Sequence, residues 1–238
     1  MVTACDNLGR LSHQGVLMRE MRREQFEFEA IFRRVCETEK NRHRSVQMIQ
    51  DISGNPALVD DSFLASHGFG SMRFIEWNWS DEDDAAYGAM QTMPKGGFVK
   101  TARADGNEKL FNFVFLRCEG VDANDHGDID KYSSLTGIVF HEMGHVDDIE
   151  KEKFLKVGER VDLVGAEEYA HRYALKRMMK ENLRFQLGLL MGNILKTANG
   201  SPSIAKEVAK RVVESGEFRN YREFVGTLVD IETCAGVR

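Results

Sequence analysis

The chain has 238 residues, of which 42% are hydrophobic and 29% charged, so it is long enough to bury a substantial core. Its formal net charge of -6 gives it no general attraction to nucleic acid or to an anionic membrane. Residues 1–15 lack a charged segment followed by an apolar run of about 7–15 residues, and no stretch approaches the roughly 20 apolar residues that span a bilayer. We therefore expect a cytoplasmic protein, with secretion as an effector without a cleaved signal as the alternative.

The cysteines and the basic clusters argue against a disulfide-rich protein, a zinc knuckle and a nucleic-acid-binding protein. Cys5, Cys36, Cys118 and Cys234 are scattered, and their spacing matches neither a disulfide framework nor a zinc knuckle, which favours a reducing compartment. Arginines and lysines cluster between residues 19 and 44, but they alternate with glutamates. That pattern is typical of an exposed helix face with ion pairs one turn apart, so no nucleic-acid partner is expected.

The first elements of the chain are predicted to be helical. Residues 14–51 consist mainly of helix formers with apolar residues near a 3.6-residue period, which predicts one long helix or two shorter ones. Gly54 and Pro56 end this region, and residues 57–65 are expected to form a short helix. We interpret residues 1–52 as an N-terminal helical extension of a single domain.

Three strands are predicted next. Residues 73–79 alternate between apolar and polar side chains, residues 98–102 follow a glycine pair, and residues 109–118 form a continuous apolar run. Because these strands precede a helical second half, we expect an α+β fold in which a small, mostly antiparallel sheet packs on a helix.

An acidic segment, residues 119–130, separates the last strand from the following helix. It partly matches an EF-hand calcium loop, but Ser133 stands where that loop has a bidentate glutamate. A plain acidic turn is therefore favoured over a calcium site.

Helices are predicted from there to the end of the chain. Ser133 or Ser134 is the expected cap of the first, and two more cover residues 165–182 and 185–197. Ser201, with Pro202 at the first helical position, predicts a helix to residue 214, and the last one is expected over residues 220–233.

The first of these helices carries His141-Glu142-Met143-Gly144-His145, the pattern H-E-x-x-H. Residues four apart lie on the same face of a helix, so His141 and His145 can bind one metal ion. Glu142 points about 100° further round, where it can contact water at the metal without being a ligand. The apolar residues Leu135, Val139, Met143 and Val146 lie on or beside the opposite face and are expected to be buried. The pattern predicts a zinc hydrolase site.

A hydrolytic zinc site needs a third protein ligand and leaves a fourth position for water. A third histidine six residues after His145 is excluded, because Lys151 stands there. A candidate carboxylate occurs further on, in Glu167-Glu168-Tyr169-Ala170-His171-Arg172-Tyr173-Ala174.

This second segment resembles the pattern E-x-x-A-[DN]-x-[FY]-A of the gluzincin metallopeptidases, which are zinc enzymes of the zincin fold. The resemblance covers about residues 110–179 and implies Glu167 as the third ligand, with Ala170 and Ala174 allowing two helices to approach closely. His171 departs from it, since Asp or Asn is usual there; it could hold a ligand, contact substrate or displace Glu167. Weaker likenesses are to type III effector metalloproteases and to repressor-cleaving metalloproteases of mobile elements. Without the motif, the two glutamates are explained equally well as an acidic first helical turn.

The resulting hypothesis is a zinc metalloendopeptidase acting on a polypeptide, with His141, His145 and Glu167 as ligands and Glu142 as general base. A strand edge such as residues 98–102 would bind the extended substrate. His171, Arg172, Tyr132 and His126 are candidates to stabilise the oxyanion. The alternative is a regulatory or binding protein that keeps the fold without catalysis. The oligomeric state and the substrate's identity stay open at this point.

Overall fold

The computed structural model describes residues 27–52, 55–91, 95–118 and 127–226. Within these ranges the chain forms eight α-helices and one four-stranded sheet, so the expected α+β class is confirmed and helix predominates. The predicted helical residues 14–26, most of the acidic segment and the last predicted helical turns lie outside the described residues.

The described elements have the following bounds. The helices are α1 (Phe28–Arg42), α2 (Asp61–Ser66), α3 (Asp81–Gln91), α4 (Gly127–Lys151), α5 (Leu163–Lys180), α6 (Arg184–Ala198), α7 (Ile204–Glu214) and α8 (Gly216–Val225). The strands are β1 (Val46–Asp51), β2 (Met72–Phe74), β3 (Lys95–Ala104) and β4 (Leu110–Cys118), and a 3₁₀ turn covers Pro56–Leu58. None of the described helices is both long and apolar enough to cross a bilayer.

Strand β4 lies inside the sheet, whose order is β1-β4-β3-β2. It pairs antiparallel with β3 and parallel with β1, while β2 pairs antiparallel with β3. Its side chains alternate between two cores. Phe113 and Phe115 pack with the cluster that includes Leu64 of α2, and Val114 and Leu116 pack with the main helical core. Because β4 is buried on both faces, its sequence is a continuous apolar run.

The prediction that residues 14–51 are helical is wrong at its C-terminal end. Helix α1 ends at Arg42, and Val46–Asp51 forms β1 at the edge of the sheet. Adjacent apolar residues such as Met48 and Ile49 fit either secondary structure, and here they contribute to the cores on opposite faces of the sheet. Pairing with β4, more than 60 residues away along the chain, decides the conformation.

The predicted strand over residues 73–79 is confirmed only at its start. Met72–Phe74 pairs with β3, and beyond it the structure has a single bridge between Asn78 and Arg160. Trp77 and Trp79 instead pack against a small core around the loop that joins α4 to α5. Their alternation therefore reflects burial of the two indoles against that loop rather than membership of the sheet.

The helices of the second half are confirmed with shifted starts. Helix α4 begins at Gly127, several residues before the expected caps Ser133 and Ser134. Helix α7 begins at Ile204, where the Ser203 side chain accepts a hydrogen bond from the backbone N–H of Lys206, so Ser203 and not Ser201 is the cap.

Helices α4 and α5 pack closely enough that their backbones nearly touch. A Cβ atom added to Gly144 of α4 would lie 2.6 Å from the Cα of Ala170 and 3.0 Å from its carbonyl oxygen. Ala170 and Ala174 are fully buried, which confirms that small side chains permit this approach. The contact brings together the faces of α4 and α5 that carry the predicted ligands.

A buried polar network fixes α1 against the same two helices. Glu39 of α1 is fully buried and accepts hydrogen bonds from Arg177 at 2.9 and 2.5 Å and from the Tyr173 hydroxyl at 2.6 Å. His43 lies between the Tyr173 hydroxyl, at 2.9 Å, and the Glu150 carboxylate, at 2.8 Å. These bonds join α1 to the C-terminal end of α4 and to the middle of α5.

Candidate metal centre

The two histidines of the motif lie side by side on α4. Their Nε2 atoms are 3.2 Å apart, and their rings are nearly perpendicular, with centroids separated by 4.8 Å. As predicted, the apolar residues on and beside the opposite face are buried: Leu135, Val139, Met143 and Val146. Burial of that face turns His141 and His145 towards a cleft between α4, α5 and β3.

Glu167 of α5 completes a triangle with the two imidazoles. Its Oε2 lies 3.2 Å from the Nε2 of His141, and its Oε1 lies 3.3 Å from the Nε2 of His145. The helix begins at Leu163, where Asp162 accepts the capping hydrogen bond from the N–H of Gly165. Glu167 is therefore not in the first turn, and its explanation as a partner of the helix dipole is wrong.

The size of the triangle fits a metal ion. Zinc bonds of about 2.0–2.2 Å in a tetrahedral site place neighbouring ligand atoms about 3.3–3.6 Å apart. The two Nε2 atoms are 3.2 Å apart, and they lie 3.2 and 3.3 Å from different oxygens of the Glu167 carboxylate, which is close to this range. Two histidines and a glutamate in this arrangement could hold a metal ion, and other divalent metals that bind nitrogen and oxygen are compatible with the same ligand set.

The charges of the triangle stabilise one another. Burial opposes ionisation of Glu167, but the adjacent imidazoles outweigh it and hold the pKa of this carboxyl well below its usual range. Burial likewise lowers the pKa of His145, but the carboxylates of Glu167, Glu142 and Asp148 outweigh burial and raise it to about 9. A bound cation would replace the proton that these groups share, so metal binding should release protons.

Glu142 is buried directly against strand β3. A Cβ atom on Gly97 would lie 2.6 Å from the Cγ and 2.8 Å from the Oε1 of Glu142, so only glycine leaves room for this side chain. Burial raises the pKa of Glu142, and the charge of Glu167 adds to this, while His141 and His145 act in the opposite direction. A carboxylate with a raised pKa is a stronger base, as proton abstraction requires.

Asp148 is a candidate functional residue that the sequence analysis missed. It is fully buried, and its Oδ1 accepts a hydrogen bond of 2.9 Å from the backbone N–H of Phe154. Its Oδ2 and the Nδ1 of His145, three residues earlier on α4, are both buried without a hydrogen-bond partner in the described structure. Metal-binding histidines usually donate the N–H of their other ring nitrogen to a carboxylate, carbonyl or water. Asp148 is a candidate for this role because its charge acts on His145, although no hydrogen bond joins the two side chains. The three-residue spacing on one helix was the available signal.

His171 lies next to two members of the triangle, His141 and Glu167. Its Nδ1 is 3.0 Å from the carbonyl oxygen of Glu167, and its ring is perpendicular to that of His141. Donor atoms of His141, Glu167 and His171 all lie within 4.8 Å of one another. Burial and the neighbouring His141 lower the pKa of His171 to about 4, so the imidazole is neutral at physiological pH.

Of the other oxyanion candidates, Arg172 is engaged in ion pairs. It lies 3.4 Å from Glu168 and 3.2 Å from Glu217 of α8, and it does not line the cleft that contains the triangle. His126 and the side chain of Tyr132 lie outside the described part of the chain, as does most of the acidic segment considered for calcium.

An apolar pocket opens beside the triangle. Eight of its lining side chains are apolar: Trp77, Trp79, Phe98, Val99, Ile149, Leu155, Leu163 and Ala166. The ionisable groups in its wall are the triangle itself and Glu142. A large uncharged side chain could therefore fill the pocket while the group attached to it reaches the metal position.

The triangle predicts metal-dependent stability. Zinc at 100 times its dissociation constant should stabilise the folded protein by about 2.7 kcal/mol if it binds only the folded state. For a chain of this size that corresponds to a rise in Tm of roughly 5–10 °C. Glu167→Gln should abolish the rise, whereas Glu168→Gln, which alters a carboxylate paired with Arg172, should retain it. Thermal unfolding with and without zinc measures the rise in Tm for the wild type and for both variants. An unchanged wild-type Tm with every divalent metal tested would refute the site.

The described geometry thus supplies a triangle that could hold a metal ion, a buried carboxylate beside it and an apolar pocket. Comparison of the chain with protein-family models, with curated proteins and with solved structures found no match.

Proposed function

We propose that this protein is a zinc-dependent metallopeptidase that hydrolyses peptide bonds in a polypeptide substrate. The observation that carries the proposal is the triangle of His141, His145 and Glu167 with the buried carboxylate of Glu142 beside it. The resemblance of both motif segments to gluzincins supports the same assignment. The small sheet packed on the motif helix is compatible with a zincin-like fold.

Glu142 is the general base and acid of the proposed reaction. Zinc held by the triangle would acidify water and polarise the scissile carbonyl. Glu142 takes a proton from the attacking water and passes it to the departing amine, which must be protonated to leave. Its raised pKa suits both steps, and its position against Gly97 places it between β3 and the ligands.

The edge of β3 supports an extended peptide as substrate. Strand β2 pairs with β3 only over Ala102–Ala104, and the N–H of Ile75 bonds the carbonyl of Thr101. Residues 97–100 therefore have a strand partner on one side only, β4, among the described residues. The free edge is shorter than the predicted residues 98–102, but it passes directly by Glu142, where a peptide could add as a further strand.

The apolar pocket supports a preference for a large uncharged residue next to the scissile bond. Trp77→Ala removes one wall of the pocket and should lower kcat/KM about 10-fold for peptides with Phe or Leu at that position, while peptides with Ala change little. Leu58→Ala, at an apolar residue that is 71% exposed and outside the pocket, is the matched control. Equal losses for large and small residues would show that the pocket does not select the substrate.

The function is tested with a proteome-derived peptide library, because the substrate is not specified by the site. Peptides produced by the wild-type protein with zinc are compared with those produced after chelation and after zinc is restored. Cleavages that disappear with the chelator and return with zinc are expected. A protein that binds zinc but cleaves nothing in the library would instead support the non-catalytic alternative.

A further inference from the structure

His171 occupies the same relation to Glu167 on α5 as His145 does to His141 on α4. Each pair is separated by four residues, and the two pairs face each other across the close contact between the helices. The ring centroid of His171 is 4.5 Å from that of His141, compared with 4.8 Å for His145, and both rings are perpendicular to His141 at 89° and 87°. The ring of His171 is thus as close to the ring of His141 as that of His145, which is a proposed ligand.

The hydrogen bond of His171 fixes which nitrogen carries its proton. A backbone carbonyl can only accept, so the Nδ1 of His171 must donate to the carbonyl oxygen of Glu167. In a neutral imidazole the Nε2 then carries the lone pair. A histidine that binds a metal through one ring nitrogen usually donates the N–H of the other to a carboxylate, a backbone carbonyl or water, and His171 makes such a bond to a carbonyl.

The same tautomer argues against oxyanion stabilisation by His171. Stabilising an oxyanion requires an N–H donor, and the proton of His171 is already engaged by Glu167 within its own helix. The lone pair on Nε2 can either accept a hydrogen bond from a ligand histidine or bind a cation. Because ligand atoms of both His141 and Glu167 lie close to His171, the geometry favours the cation.

We infer that His171 is a fourth protein ligand of the metal, so that the resting site holds three imidazoles and one carboxylate. One possible ligand atom from each of His141, Glu167 and His171 lies within 4.8 Å of the other two, so the three residues are grouped closely enough to share one ion. A fourth ligand would occupy the position that hydrolytic zinc sites leave for water. Turnover would then require His171 to move away or the coordination number to rise to five.

This inference rests on the metal site of the proposed function but not on hydrolysis itself. The decisive measurement is X-ray absorption fine structure of the full-length protein loaded with one equivalent of zinc. The wild-type spectrum should fit three imidazoles, and that of His171→Ala should fit two. The visible bands of the cobalt-loaded protein should change between the two proteins, and zinc affinity should fall more than about 100-fold, the upper limit for residues that merely support a ligand.

His67→Ala, at an exposed histidine stacked on Phe63, is the control and should leave the spectrum and the affinity unchanged. Two imidazoles in the wild-type spectrum would overturn the inference even if His171→Ala failed to fold. Cleavage by a two-imidazole site would refute the fourth ligand and retain the peptidase. Three imidazoles without any cleavage would refute the peptidase and retain the fourth ligand.

Discussion

Replacing Glu142 with glutamine should lower peptide hydrolysis by roughly 10²- to 10⁴-fold, the contribution of a positioned general acid–base group. The amide has nearly the same shape, so it preserves the fit of the side chain against Gly97 but cannot take up a proton. Glu142 is not part of the triangle, so zinc affinity should stay close to that of the wild type. Cleavage rate and zinc titration on the same preparations measure the two effects separately.

The matched control for this substitution is Glu168→Gln. Glu168 lies next to Glu167 in the chain but pairs with Arg172, so its replacement should leave both cleavage and zinc binding unchanged. Full activity in Glu142→Gln would remove this residue from the mechanism. Loss of zinc in Glu142→Gln would instead assign the carboxylate to the metal site and contradict its proposed role as a base.

Replacing Gly144 with alanine should destabilise the protein and abolish metal binding together. The added methyl would lie 2.6 Å from the Cα of Ala170, and a backbone atom cannot move aside as the end of a flexible side chain can. Helices α4 and α5 must therefore separate, at a cost of about 1–3 kcal/mol in the free energy of unfolding. The same displacement moves Glu167 away from His141 and His145, so the zinc-dependent rise in Tm should disappear.

Gly137→Ala provides the control within the same helix. A Cβ atom there would meet only the end of the Met178 side chain, at 3.4 Å, which can adjust. Since alanine favours a helix over glycine by about 1 kcal/mol, this variant should be unchanged or slightly more stable and should keep its response to zinc. If Gly144→Ala behaved like Gly137→Ala, the close helix contact would not be what positions the ligands.

The sequence correctly predicted the helices and strands whose pattern of apolar residues fits only one type of secondary structure. Strand β4 is a long apolar run between turn residues, and α5 and α6 have apolar residues at helical spacing, so each was found within a few residues of its bounds. Element β1 was missed because the residues around Met48 fit a helix as well as a strand. The extent of β2 was overestimated because Trp77 and Trp79 alternate for a different reason, burial under the loop between α4 and α5.

One part of the candidate site follows from the sequence alone, and the other part depends on the tertiary structure. The spacing of His141, Glu142 and His145 by itself determines that two imidazoles share one helix face with a carboxylate beside them, because the period of the α-helix is fixed. That spacing holds in whatever fold contains the helix. The motif therefore identified half of the site before any tertiary contact was known.

Only the tertiary structure decided how α5 meets this helix. The contact of Gly144 with Ala170 sets the distance between helices, and that distance brings Glu167 to within 3.2–3.3 Å of both imidazoles. His171 lies on the same helix as Glu167, and one ligand atom of each lies within 4.8 Å of a ring nitrogen of His141. Such separations depend on packing between residues distant in the chain, which a local pattern of residue types does not encode.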